Sequence, residues 1–468
     1  MAKMLISQVR NFLPTTEKSE KAGFVQFENE ATEMTNISNG SAKTETHTDE
    51  ENVEKISAWQ AGWNVTNAIQ GMFIVTFPYC VLEGGYWAIF AMIGVAWICY
   101  YTGNILVECL YETDDMGMRV RVRDSYVRIA EDVWGRSIGG RIVHTALLIE
   151  LLMTCILYVL LCGDLMVGLM PNSDMNLASW IMLSTFLLVP CAFLRSLRAV
   201  SWFSFWCTVA HMFINAIIII YCLTKASDWK FADVQIRIDI WTLPISVGIV
   251  VFSYTSQIFL PSLEGSLHDR RLFRPMLKWT HIAAAVFKAL FSYIGFVTWG
   301  FSTKEVITNN LSNDALKSVV NLFLVAKALL SYPLPYFAAV QLLETALFKG
   351  RPITVFPPCY DSNANMTVWA LTLRIGLVIL TMLFAIYIPH FNVLMGLIGA
   401  FTGNMLSLVW PCWFHLKLRQ GTLGLWQKTR NYGIITFGLV CSVLGIYDSA
   451  HGLVRAFQGH EPRPFQGG

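Results

Sequence analysis

The sequence predicts an all-α polytopic membrane protein. Of its 468 residues, 54% are hydrophobic and only 14% are charged, and the mean hydropathy is +0.49. Eleven apolar runs follow a polar N-terminal segment, and each is a candidate membrane-spanning helix. This composition excludes an ordinary soluble enzyme, and a net charge of +2 gives no indication of a nucleic-acid partner.

Residues 1–56 are predicted to form a disordered cytosolic tail. They are rich in Glu, Thr, Ser and Asn and carry six Lys/Arg against ten Asp/Glu. Such a segment cannot bury enough apolar surface to fold alone. It is a candidate for sorting or adaptor-protein signals, with a merely solvated extension as the alternative. The chain start lacks the apolar region of a secretory signal, so the first span is expected to direct insertion.

Residues 57–456 are predicted to form an eleven-helix transmembrane domain, followed by a short lumenal tail at 457–468. The first run ends at Gly85. The other ten lie at 86–110, 142–169, 177–194, 199–224, 242–263, 279–302, 316–347, 367–388, 391–416 and 431–453.

The basic residues predict the orientation of these spans. With a cytosolic N-terminus, cytosolic loops hold 18 Lys/Arg and the other side holds 6, as the positive-inside rule requires. The C-terminus is then lumenal or extracellular. On that side Asn310, in the sequon Asn-Leu-Ser, is the predicted glycosylation site.

The first run carries polar residues where a simple anchor would have none. Its middle holds Asn64, Thr66, Asn67, Gln70 and Gly71, and Pro78 follows. Amides and glycine at mid-depth are tolerated where a helix unwinds beside a cavity and offers its free N–H and C=O groups to a ligand. We therefore predict a broken helix. The alternative is a continuous helix that uses small and polar residues for tight packing.

The sixth run repeats this layout. A polar cluster at 253–257 is followed by a proline and then by Leu-Glu-Gly at 263–265, as the first run ends in Leu-Glu-Gly at 82–84. Five spans separate the two, and an odd offset inverts the second copy relative to the membrane. Matching interrupted spans in two halves indicate a transporter binding site at a repeat interface.

Several motifs resemble the amino acid/auxin permease family, and within it the vesicular transporters of GABA and glycine. They are Ile69-Gln70-Gly71, FPYCVLEGG, SYVRIAEDVWG, LFLVAKALLSYPLPYF and IPHFNVLMGLIGAFTGN. The resemblance covers roughly residues 57–455. It implies a LeuT-like core, with spans one to five and six to ten as inverted repeats and an eleventh helix appended. It also implies loading of GABA and glycine into synaptic vesicles in exchange for protons, with chloride as a further candidate partner besides membrane lipids.

Two other functions remain open at this point. One is a proton- or sodium-coupled amino acid permease of the plasma or lysosomal membrane. The other is a receptor or channel that senses amino acids without pumping them. Enzymatic chemistry has no candidate site, because no HExxH, P-loop, Ser/His/Asp or Cys/His arrangement is present. The eleven cysteines lie mostly in apolar runs without metal-ligand spacing, so no metal or cofactor is expected.

The two predicted breaks supply the candidate substrate site. A zwitterionic amino acid needs N–H groups at a half-helix N-terminus for its carboxylate, and carbonyls or a carboxylate for its ammonium. The candidate substrate-binding residues are Thr66, Asn67, Ile69, Gln70, Gly71, Phe252, Ser253 and Tyr254.

Glu150 is the first candidate for proton coupling. It lies mid-span, with Thr154 and Tyr158 on the same helix face as supporting residues. A lone carboxyl in a span is energetically costly, and burial favours its protonated form. The alternative is a permanent ion pair with a buried lysine.

Lys288 and Lys327 are the only mid-span lysines, and serines follow each by four residues, Ser292 and Ser331. In LeuT-like proteins span eight lines a sodium site, so we hypothesise that Lys327 supplies the positive charge that sodium gives elsewhere. Lys288 is the second candidate, with snorkelling towards the cytosol as the alternative. His211, midway along span five, is the third, although such a histidine is more often a hydrogen-bonding core residue.

Two further features concern the cytosolic face. The segment RVRVRDSYVRIAEDVWGRSIGGR places Val122, Tyr126, Ile129 and Val133 at helical spacing among arginines. This pattern predicts a helix on the membrane surface that covers or gates this face, with a basic loop as the alternative. Near the span ends, Arg374 and Glu108 are expected to face lipid headgroups.

Overall fold

The computed structural model describes residues 57–69, 71–114, 116–170, 173–193, 212–236, 243–348, 367–388 and 390–458. Within these ranges the chain is almost entirely helical. The exception is a short antiparallel hairpin of β1 (Tyr111–Thr113) and β2 (Arg119–Arg121), in which Glu112 lies opposite Val120. The expected tail at 1–56 lies outside the described residues, as do residues 459–468 of the expected tail at 457–468, whereas the last helix continues to Phe457.

The helices are numbered in chain order. They are α1 Ala58–Ile69, α2 Phe77–Glu108, α3 Tyr126–Trp134, α4 Arg136–Leu169, α5 Leu177–Leu188, α6 Met212–Thr224, α7 Leu243–Tyr254, α8 Leu260–Gly265, α9 Phe273–Trp299, α10 Asp314–Ser331, α11 Pro333–Phe348, α12 Val368–Tyr387, α13 Phe391–Ile398, α14 Trp410–Leu418 and α15 Leu425–Phe457. Two π-helical segments, Gly399–Gly403 and Met405–Val409, join α13 to α14.

Seven helices in the described part of the chain are long and apolar enough to cross a membrane. Three shorter apolar helices, Leu177–Phe193, Met212–Thr224 and Leu243–Tyr254, accompany them. The all-α membrane architecture is therefore confirmed. The division into eleven spans stays a prediction, because several expected runs are short, interrupted or only partly described.

Gly85 marks the boundary expected between the first two runs. Its φ of 54° interrupts α2. A Cβ at this position would lie 2.1 Å from the carbonyl oxygen of Gln235, and the neighbouring Tyr86 N–H donates to that same oxygen at 3.0 Å. Only glycine combines this backbone conformation with so close an approach.

The contacts between loops define two ends of the molecule. At one end, which we call the hairpin side, Arg419 donates to the carbonyl of Tyr111 and Arg274 pairs with Glu108. At the other end, the opposite side, Asn309 donates to Asp164. The segment around Gln235 and the loop 300–313 also lie on the opposite side.

The expected surface helix is present as α3, but its apolar face is covered by protein. Tyr126 and Ile129 are buried, and the Tyr126 hydroxyl donates to the carbonyl of Leu406 at 3.0 Å. Trp134 packs against Phe414 of α14. The prediction of a membrane-facing helix was therefore wrong, because α14 buries the apolar stripe that would otherwise contact lipid.

The expectation that Arg374 faces headgroups was also wrong. Its side chain is only 1% exposed, and its guanidinium pairs with Glu344 of α11 at 3.0 Å. A buried guanidinium needs such a partner to offset its desolvation. Glu108 instead lies in a polar network on the hairpin side, where it contacts Arg274 and lies 3.5 Å from the His415 ring.

Candidate functional site

The first predicted interruption is present in the structure. Helix α1 ends at Ile69, and a separate 3₁₀ helix, Met72–Thr76, begins after Gly71. Gly71 has an extended ψ of 171°, so its peptide leaves the helical path. Ile69 is buried, whereas the hydroxyl of Thr66 donates to the carbonyl of Gly62 within α1. Gln70 and the side chain of Asn67 lie outside the described residues.

The second interruption separates α7, which ends at Tyr254, from α8, which begins at Leu260. The link between them carries three-residue turns, such as the Thr255 N–H donating to the Phe252 carbonyl at 3.1 Å, together with side-chain hydrogen bonds. The Gln257 amide donates to the Thr102 hydroxyl of α2 at 3.2 Å, and its oxygen accepts from the Ser256 N–H at 3.1 Å. The Phe252 carbonyl is used by the turn to Thr255, whereas the Ser253 carbonyl accepts no main-chain hydrogen bond within the described structure and is available to another donor.

Lys288 of α9 is the donor to the Ser253 carbonyl. Its ammonium donates to both the main-chain oxygen and the hydroxyl of Ser253, each at 2.9 Å. It also lies 3.6 Å from the centre of the Tyr254 ring and 5.2 Å from that of Phe77, which begins α2 beyond the first interruption. With 1% exposure, Lys288 does not snorkel to a surface. It lies where the two broken helices meet.

Phe73 is the centre of an aromatic cluster next to the first interruption. Its ring centre lies 5.1 Å from that of Tyr158, 5.7 Å from that of Phe252 and 5.8 Å from that of Phe391. The four rings come from the 3₁₀ helix, α4, α7 and α13. Together they connect both broken helices to their neighbours through apolar contacts. Phe73 and Phe391 were missed from the sequence because phenylalanine in an apolar run gives no distinguishing signal.

Glu150 is buried on α4, with 5% exposure. Its carboxylate accepts a hydrogen bond from the hydroxyl of Thr402, in the first π-helical segment. Thr154, the expected supporting residue, donates to the Glu150 carbonyl at 2.7 Å instead. Within the described ranges, no lysine or arginine nitrogen lies within ion-pair distance of the carboxylate, so the alternative of a permanent ion pair is not seen there.

Thr402 was also missed from the sequence. A π-helical turn is wider than an α-helical turn, and such turns are frequent at functional sites. The available signal is the sequence Gly-Ala-Phe-Thr-Gly at 399–403, whose glycines are typical of close packing or a hinge and do not indicate a partner for Glu150.

The remaining candidates lie on α9 and α10 or outside the described structure. Lys327 is half-buried on α10, which packs mainly against α4. One turn later Ser331 forms a hydrogen bond with the Tyr158 hydroxyl. Ser292 donates to the carbonyl of Lys288. The predicted proton site His211 lies outside the described residues.

Carboxyl groups also gather on the opposite side. Glu305 lies in the loop between α9 and α10, near Asp164 and Glu83. Burial, reinforced by these two negative neighbours, raises the pKa of the Glu305 carboxyl to about 7, although the N–H of Asn392 acts against this shift. In the same loop the predicted glycosylation site, Asn310, donates to the Ser302 carbonyl at 2.7 Å.

On the hairpin side the second Leu-Glu-Gly motif makes polar contacts. Glu264 is buried at the end of α8 and accepts a hydrogen bond from the Tyr111 hydroxyl of β1. Arg121 of β2 lies 3.7 Å from the same carboxylate and donates to the Pro261 carbonyl at 2.8 Å. The hairpin, which directly follows α2, thereby contacts the C-terminal end of the second broken helix.

Comparisons with known proteins identify the family of this chain. Residues 54–450 match the family described as "Transmembrane amino acid transporter protein". The chain is 51% identical over 407 residues to the vesicular inhibitory amino acid transporter of Xenopus tropicalis, covering 86% of this chain and 78% of that protein. It is 48% identical over 403 residues to the vesicular GABA transporter of Caenorhabditis elegans, covering 86% and 81%.

Among solved structures, a Na⁺-coupled sialic acid symporter in its substrate-bound outward-open state aligns with 95% of this chain and 99% of its own. The TM-score is 0.47 and the sequence identity is 13%. A structural similarity of this size carries no argument about the fold or the function of this chain.

Proposed function

Because the chain belongs to the transmembrane amino acid transporter family, we propose that it loads GABA and glycine from the cytosol into synaptic vesicles in exchange for protons. The names of its relatives support this substrate class and compartment. In this proposal the hairpin side, which carries the basic loops, faces the cytosol, and the opposite side faces the lumen.

The contact between Lys288 and Ser253 carries the proposal. The protonated amine of Lys288 uses the free carbonyl at the end of α7. A substrate ammonium requires an acceptor of the same kind, and two cations cannot share it in a buried site without strong repulsion. Protonated Lys288 and bound substrate therefore exclude each other, and this exclusion is the condition for exchange.

The substrate carboxylate is proposed to bind at the first interruption. The 3₁₀ helix after Gly71 begins with main-chain N–H groups that its own turns do not use, as at any helix N-terminus. Phe73 and Phe252 pack over this region, so they would exclude water and limit the size of the substrate.

Glu150 is proposed as a second proton-carrying group, because its hydrogen bond from Thr402 is compatible with either charge state.

Transport in the proposed cycle follows alternating access. Lumenal acid protonates Lys288, which displaces the substrate into the vesicle. The protonated carrier then opens to the cytosol, and loss of the proton frees the Ser253 carbonyl for the next substrate. The contacts that Arg121 and Tyr111 make with Glu264 would break when the hairpin side opens.

The test is uptake of labelled GABA by proteoliposomes containing the purified chain under an imposed acid-inside gradient. Uphill accumulation that a protonophore abolishes is the expected result. A requirement for sodium would support a plasma-membrane or lysosomal permease instead, and purely downhill flux would support a channel. Binding without flux would support a receptor.

A further inference from the structure

His281 is a buried titratable group to which the proposed cycle gives no role. It lies on α9, two helical turns before Lys288, and is only 2% exposed. Its Nδ1 lies 2.9 Å from the Leu277 carbonyl oxygen. Because that oxygen can only accept, Nδ1 carries the proton, and Nε2 holds a lone pair.

That lone pair has no donor within the described parts of the chain, although Nε2 is fully buried. A buried polar atom left without a partner is energetically costly, so its presence calls for a physical reason. The Tyr254 hydroxyl and the Ser256 hydroxyl, both at the second interruption, are also buried without a partner in the described structure. Polar groups without partners therefore gather next to the break.

The Tyr254 ring contacts both the histidine and the lysine. It stacks on His281 with 6.3 Å between ring centres and an angle of 17°, and the Lys288 ammonium lies 3.6 Å from its centre. The other titratable groups facing this space come from α2, namely Tyr100, whose ring centre is 6.5 Å from that of His281, and Cys99 near Lys288. None of the groups named here is a carboxylate that would pair permanently with an imidazolium.

We propose that His281 is the acceptor through which Lys288 releases its proton towards the hairpin side. This inference rests on the proposed function. When the Tyr254 ring moves with the second broken helix, the N–H bond of the Lys288 ammonium breaks and the lone pair of His281 Nε2 takes the proton. A neutral amine and an imidazolium result. The imidazolium then gives its Nε2 proton to water from the cytosol, and the histidine returns to its starting tautomer.

The position of His281 along α9 fits this direction of transfer. Helix α9 begins on the hairpin side at Phe273, so His281 lies between that end and Lys288. Substrate-for-substrate exchange needs no proton release, because the amine of Lys288 stays neutral throughout. Net proton-driven accumulation requires one release in each cycle. The two assays therefore separate the proposed role from a structural one.

The experiment compares wild-type protein with His281→Gln in proteoliposomes, using labelled GABA. Glutamine keeps hydrogen-bonding atoms but cannot carry the proton. We expect a loss of at least tenfold in accumulation driven by an acid-inside gradient, with GABA-for-GABA exchange at equal pH within twofold of wild type. His144→Gln is the matched control, since His144 also has a buried ring nitrogen without a partner in the described structure but lies on α4.

Two results would overturn the inference. Wild-type accumulation in His281→Gln would show that the proton leaves without the histidine. An equal loss of accumulation and exchange would show a structural role, and His281→Asn then provides a second variant with a smaller side chain. If wild-type protein exchanges GABA but never accumulates it under the gradient, the proposed proton coupling itself fails, which these variants do not affect.

Discussion

Gly399 lies directly against the backbone of Gly248. A Cβ built on Gly399 would be 1.8 Å from the Gly248 carbonyl oxygen, and one built on Gly248 would be 2.4 Å from the carbonyl oxygen of Gly396. The first π-helical segment and α7 therefore touch backbone to backbone, next to the second interruption. Any side chain at these positions forces the two elements apart.

Gly399→Ala is accordingly expected to destabilise the protein by about 1–3 kcal/mol, or more if the backbone cannot shift, because overpacking costs about this much. The neighbouring Thr402 would move with its segment, so transport should fall as well. Gly376→Ala, on α12, is the matched control, since nothing lies within 4 Å of a Cβ there. Melting temperatures in detergent would measure the difference, and equal values for both variants would contradict the prediction.

Lys288 and Lys327 can be compared directly. Lys288→Ala is expected to abolish proton-driven uptake, because it removes the cation that competes with substrate for Ser253. Lys288→Arg should also fail, since a guanidinium stays charged and would occupy the carbonyl permanently. The sequence predicts the same loss for Lys327→Ala. The measurement is GABA uptake, with surface expression measured in parallel. Wild-type uptake in either variant would remove that lysine from the coupling scheme.

Glu150→Gln is expected to abolish accumulation while leaving the protein at the membrane. Glutamine keeps a hydrogen bond with Thr402 but cannot bind or release a proton. The matched variant Thr402→Ser keeps the hydroxyl and should retain transport, whereas Thr402→Val should lower it. Uptake under an acid-inside gradient is the measurement. Normal accumulation by Glu150→Gln would show that the carboxyl does not carry protons.

Glu305 should make the stability of the protein depend on pH. Its ordinary pKa is 4.5, and in the folded protein burial raises the pKa to about 7. Since the folded protein then binds the proton more tightly than the unfolded chain, stability should fall as pH rises from about 4.5 to 7, by at most about 3.4 kcal/mol.

Glu305→Gln should flatten this dependence, whereas Asp174→Asn, in an exposed loop on the same side, should leave it unchanged. Melting temperatures in detergent between pH 5 and pH 8 would show the effect. If the slopes of wild type and Glu305→Gln coincide, Glu305 is not the group responsible.

The amino-acid pattern predicted both interruptions, because polar residues, glycine and proline are costly within an apolar run unless the helix unwinds there. It also singled out Glu150, since a carboxyl in a span is rare and costly. On the family resemblance, Lys327 was placed ahead of Lys288, whereas the contact with Ser253 is made by Lys288. Both sit in similar apolar surroundings followed by a serine, and only packing shows that Lys288 contacts the broken helix while Lys327 lies on α10.

Thus the sequence by itself determined the membrane class, the helical architecture, the family and the places where two helices break. The membrane class, the helical architecture and the breaks are local features, because they depend on hydropathy and on residues that favour unwinding. The family follows from short sequence motifs, which are local as well. Tertiary structure alone decided the partners across the breaks: Ser253 for Lys288, Thr402 for Glu150 and Phe73 for Phe391. Each pair joins residues distant in the chain, and their contact depends on how the helices pack.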